Sequence, residues 1–96
     1  MKVHVDARDG VPGSAYCPIA HAIEVALHGG SLKDVVVGDI TTCITFEGRY
    51  RLLNNTENPY IDTSWKKLPP QIVIWLERYH NNEQVELVFA FDLSLS

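Results

Sequence analysis

Apolar and polar positions alternate or recur along most of the chain, and they divide it into seven elements. Residues 1–6 alternate, with Val3 and Val5 on one side and His4 on the other, which predicts a short strand. From Pro18 to His28 the period lengthens: Ile19, Ala22, Ile23, Ala26 and Leu27 make one stripe of a helix. Pro18 suits the first helical position and Gly29 the position just past the end. Val35, Val36 and Val37 read as a buried strand, followed by a turn at Gly38-Asp39. Residues 41–46 alternate, Glu47-Gly48 offers a hairpin turn, and residues 49–53 return with Tyr50 and Leu52 opposite Arg49 and Arg51. The middle of the chain is therefore expected to be an antiparallel meander.

Residues 54–67 carry no regular period. A connection of that length is uncommon in a small domain and tends to be functional or mobile. Tyr60, Ile61 and Trp65 imply that it packs on something. Leu68-Pro69-Pro70 opens a second helix with Ile72, Trp75, Leu76 and Tyr79 as its stripe, widened by Val73. Asn81-Asn82 can stop it, because asparagine tolerates a left-handed backbone. Residues 84–93 form the clearest strand, with Val85, Leu87, Phe89, Phe91 and Leu93 on one face and Glu86, Val88, Ala90 and Asp92 on the other. The expected order is β-α-β-β-β-α-β. It predicts a single α+β domain over residues 1–96, with two helices on one face of a mixed or antiparallel sheet of about five strands. The small, partly apolar outer face at Val88 and Ala90 predicts a homo-oligomer.

Length and charge narrow the functional classes. A chain of 96 residues has a thin core, which association with a second copy would help. A net charge of −4 argues against general nucleic-acid binding, which needs a basic face. The start of the chain turns polar at once and no apolar run has membrane-spanning length, so a cytoplasmic location is expected, without a membrane partner. Cys17 and Cys43 lack CxxC spacing and read as free thiols.

Three groups of residues carry candidate chemistry. The loop before the first helix combines glycines with free helix-start amides, which favour an anion. Arg8, Gly13, Ser14 and Tyr16 are placed to help there. The alternative is an ordinary strand-to-helix connection. The second group is Arg49, Tyr50 and Arg51 with Tyr60, Trp65, Lys66 and Lys67. Cations and stacking aromatics suit the phosphates and base of a nucleotide, and Arg49, Arg51 and Lys66 are the expected charge. The alternative is a solvated strand face. The third is Cys17 with His21, one helical turn apart, as a nucleophile and base or as metal ligands. No third ligand or orienting group accompanies them, so packing is the simpler reading. No metal, no cofactor and no catalytic residue is expected.

Two motifs resemble a known group. Cys17-Pro18-Ile19-Ala20-x-Ala22-Ile23 looks like the helix start of small uncharacterised tailed-bacteriophage proteins, which reads Cys-Pro-Val-Ala-x-Ala. Leu68-Pro69, the short helix that follows, and Phe89-Ala90-Phe91-Asp92-Leu93 resemble the end of the same proteins. The resemblance covers about half the chain. It implies a phage protein acting in the bacterial cytoplasm against host defence. One form of such activity is a non-catalytic sponge for nucleotide immune signals, such as cyclic ADP-ribose derivatives or cyclic dinucleotides. Another is a direct, anti-CRISPR-like block of a host defence protein. A nucleotide-like ligand at Arg8, Gly13, Ser14, Tyr16, Arg49, Arg51, Tyr60, Trp65 and Lys66 is the leading expectation. A protein-binding inhibitor comes next, then a small Cys/His enzyme.

Overall fold

The computed structural model describes residues 1–29, 40–45, 47–54 and 62–94. Its regular elements are β1 (Lys2–Asp6), α1 (Pro18–Gly29), β2 (Ile40–Ile44), β3 (Arg49–Asn54), β4 (Lys66–Lys67), α2 (Pro70–His80) and β5 (Val88–Asp92). A single 3-10 turn, Ala7–Asp9, follows β1. The α+β class and the five strands agree with the sequence reading. The strands fall into two antiparallel sheets, β1-β5 and β2-β3-β4, where one sheet was expected.

Alternation builds the first sheet as predicted. Val3 and Val5 are buried while Lys2 and His4 face solvent. They pair with Phe91 and Phe89, so the two ends of the chain lie side by side. The Leu93 N–H donates to the Met1 carbonyl at 2.8 Å, and the Met1 ammonium donates to the Leu93 carbonyl at 2.9 Å. The predicted inward face of the last strand holds at Phe91 and Leu93 but not at Leu87, which is 60% exposed. The regular ladder begins only at Val88, so alternation has no hold on residues 83–87. Val88 and Ala90 stand on the outer face, as expected.

The second sheet keeps the predicted hairpin, as β2 and β3, and adds β4. The expected strand at 35–37 and turn at 38–39 lie outside the described residues. The third strand of the meander is β4, inside the stretch read as aperiodic. It lasts two residues because Pro69 and Pro70 follow closely, lack N–H donors and turn the chain into α2. Among the described residues no strand joins the two sheets. Tyr50 spans the gap, its hydroxyl donating to the Ser94 carbonyl at 3.3 Å.

The helices close the core. α1 buries Ile19, Ala22, Ile23 and Leu27 against β1 and β2. α2 buries Ile72, Trp75, Leu76 and Tyr79. Each of these isoleucines and leucines contributes roughly 1.5–3 kcal/mol on full burial. Trp75 stacks on Tyr79 at 4.9 Å and meets Phe89 at 5.2 Å. Its indole N–H donates to the Glu86 carbonyl at 3.0 Å, and the buried Tyr79 hydroxyl donates to the Ala7 carbonyl at 3.1 Å. The helix stops where predicted, with Asn82 in the left-handed conformation at φ 58°.

The hairpin between β2 and β3 depends on Gly48. Its φ is +85°, and a Cβ there would strike the Val73 side chain of α2. Both effects should appear on substitution. Gly48→Ala is expected to cost about 2–4 kcal/mol, part from the left-handed backbone and part from the collision. In a Val73→Ala background the same change should cost only the backbone part, roughly 1–2 kcal/mol. Urea denaturation of the four proteins checks this, and equal costs in both backgrounds would remove the contact from the account.

Candidate functional site

The register of the three-stranded sheet decides where its charges go. Arg49 pairs with Lys67, Tyr50 with Lys66 and Cys43 with Arg51. Side chains alternate across a sheet, so Arg49, Arg51 and Lys67 share one face while Tyr50 and Leu52 enter the core. One further step of the same register sets Trp65 beside Arg51. The Arg51 guanidinium lies 5.9 Å from the Trp65 ring centroid, and the ring is 48% exposed. Arg49 and Lys67, like charges directly opposed, destabilise the pair by up to about 1 kcal/mol. The Arg51 Nε is buried and has no hydrogen-bond partner among the described residues. The described positions of this face, 41, 43, 45, 49, 51, 53, 65 and 67, hold three cations and no carboxylate.

Lys66 belongs elsewhere. Its ammonium sits 2.9 Å from Asp62, with the side chain only 15% exposed. Hydrogen bonds from Lys66 and Ser64 hold the Asp62 carboxyl well below the usual range. Lys66 is therefore neutralised at home, and Lys67 supplies the cation expected of it. Tyr60 lies outside the described residues.

The loop before α1 does not join this face. Arg8 forms a two-point pair with Asp6, at 2.9 Å from Nε and 2.7 Å from the terminal nitrogen. That pairing brings the Asp6 carboxyl down to about 2. Ser14 Oγ donates to the Val11 carbonyl at 2.7 Å and accepts the Tyr16 N–H at 3.1 Å. Tyr16 itself is 75% exposed. Gly10 pinches the loop: a Cβ there would meet the Tyr16 carbonyl and the Pro18 ring. The helix-start amides expected to receive an anion lie beside an acceptor of the chain's own. The Cys17 sulfur accepts from Ile19 and Ala20, and the His21 N–H donates to the Cys17 carbonyl at 3.1 Å. Pro18 has no N–H to offer.

Cys17 is thus the cap of α1. Burial raises its pKa, and the two amide hydrogen bonds only partly oppose that. His21 turns to Asp9, with its Nε2 at 4.0 Å from the carboxylate.

Gly13 and Ser14 instead line a cleft of about 890 Å³, together with Cys17, Cys43, Glu77 and His80. No lysine or arginine lines it among the described residues. The sequence reading merged two places into one site: a cation-free cleft beside the loop, and a basic face on the sheet. They adjoin at Cys43 and Thr45. The chain matches no family model, no curated protein and no solved structure.

One hydrogen bond ties the loop to α2: the Gly13 N–H donates to His80 Nδ1 at 3.0 Å. The acceptor must be unprotonated, and burial lowers the pKa of His80 from its ordinary value near 6.5. A histidine shifted down on folding stabilises the fold fully above its unfolded value. That stability is lost as pH falls through the folded value. Asp6 and Asp62, shifted down from 3.8, act in a lower window. The melting temperature should therefore drop between pH 7.5 and 5.5, with a lower protection factor for the Gly13 amide. His80→Ala should flatten that dependence. Parallel pH profiles for the two proteins would show that the bond is energetically silent.

Proposed function

We propose that the chain is a non-catalytic binding protein that captures a nucleotide-derived anion on the basic face of its three-stranded sheet. The observation that carries this reading is the grouping of Arg49, Arg51 and Lys67 around an exposed Trp65, with the Arg51 Nε lacking an acceptor among the described residues. Phosphate oxygens would relieve the opposition of Arg49 and Lys67 and satisfy Arg51. A base would stack on Trp65, a contact worth roughly 1–3 kcal/mol. The capped and buried thiol of Cys17 supports binding over nucleophilic chemistry at that position. In keeping with the phage-like motifs at both ends of the chain, the ligand is a host immune signal, and the protein acts by holding it away from its receptor. The exposed Val88 and Ala90 suit contact with a second copy.

Isothermal calorimetry against cyclic ADP-ribose isomers and cyclic dinucleotides tests the proposal. At least one should bind, more weakly at higher salt. Arg51→Gln, Lys67→Gln and Trp65→Ala should each weaken it roughly tenfold or more, while Lys66→Gln leaves it nearly unchanged. Silence of the folded protein across the panel would defeat the proposal, as would equal effects at Lys66 and Lys67.

A further inference from the structure

The basic face is laid out in rows. In the first, Arg49 pairs with Lys67 on one side and faces Thr45 on the other, whose N–H donates to the Arg49 carbonyl at 2.8 Å. The second row holds Cys43, Arg51 and Trp65. The third is described at Thr41 and Leu53. Successive rows on one face lie roughly 6.7 Å apart, and side chains directly opposed within a row start roughly 5 Å apart.

The rows differ in kind. The first brings two positive charges to one spot, on side chains long enough to converge on a common ligand. Neither Arg49 nor Lys67 forms an ion pair among the described residues. The Thr45 hydroxyl accepts the Arg49 N–H at 3.1 Å, which holds it beside the two cations with its own hydrogen left to donate. The second row is a stacking seat: the Arg51 guanidinium lies 5.9 Å from the centroid of the half-exposed Trp65 ring. The third row has no cation at its described positions. The stacking seat therefore has a pair of cations on one side only.

That asymmetry discriminates between nucleotide-derived anions. A phosphodiester brings one negative charge to a seat built of two cations and leaves their mutual repulsion partly in place. A cyclic dinucleotide carries its two phosphodiesters on opposite sides of its ring and would need cations beyond the stacking row as well. A diphosphate brings adjacent charges to a single seat. One row spacing is also close to the reach of a nucleotide from its 5′-phosphate to its base. We infer, on the nucleotide-binding reading of this face, that the ligand is a nucleoside 5′-diphosphate or an ester of one, with the diphosphate between Arg49 and Lys67 and the base against Trp65. Stacking on a ring face tolerates any base, so the charged row carries the discrimination.

Calorimetry of the full chain at low salt against AMP, ADP, ADP-ribose and cyclic di-AMP, which share one base, tests this. ADP and ADP-ribose should bind at least about tenfold more tightly than AMP or cyclic di-AMP. Lys67→Gln should bring ADP down to the level of AMP. Trp65→Ala should weaken both by the same factor and keep the gap between them, with melting curves confirming that each variant is folded. Equal binding of AMP and ADP would overturn the inference, as would tightest binding of cyclic di-AMP, and in both cases the nucleotide-binding reading would stand. Silence toward all four would also overturn it, while the broader reading falls only if its own wider panel is silent too.

Discussion

The packing of α2 is the constraint on which the rest depends. Among the described residues one sheet has two strands and the other ends in a two-residue strand, and neither hides its apolar face alone. The helix meets both at once. Trp75 and Tyr79 stack on each other, Trp75 reaches Phe89 and the Glu86 carbonyl, and Tyr79 reaches the Ala7 carbonyl. At its other end Val73 presses on the hairpin at Gly48. The last turn of the same helix supplies Glu77 and His80 to the cleft.

Charge on this chain sorts by whether it is satisfied locally. Arg8 and Lys66 each have a carboxylate within four residues, and each forms a close pair with it. Arg49, Arg51 and Lys67 have no such partner among the described residues of their own face, and two of them are set directly against each other. A molecule with net charge −4 that concentrates unneutralised cations on one face accepts a cost in the free state that an anionic ligand would remove. That contrast, more than the number of basic residues, is the ground for proposing this face as the binding face.

Much of the architecture was legible because burial imposes periodicity. The stripes of both helices and the inward valines of β1 follow directly from the spacing of apolar residues. The helix stop at Asn82 was legible from a local conformational preference. β4 was not, because two residues carry no period and its identity comes only from pairing with Arg49 and Tyr50. Without that strand, nothing assigned Lys66 inward and Lys67 outward. The two-sheet division was illegible for the same reason. The surroundings of the helix start were hidden for a different reason. A cysteine before a proline does not announce itself as a cap, yet its sulfur fills the amides that glycine and dipole arguments leave open.

The claim that anions meet the sheet face rather than the helix start can be measured without knowing the ligand. Pyrophosphate titrated into the isotope-labelled chain, followed by amide and side-chain nitrogen shifts, reports both places at once. The account predicts that signals of Arg49, Arg51 and Lys67 move together with the Trp65 indole while the Ile19 and Ala20 amides stay still. Movement centred on Ile19, Ala20 and Gly13, with β3 and β4 silent, would contradict it.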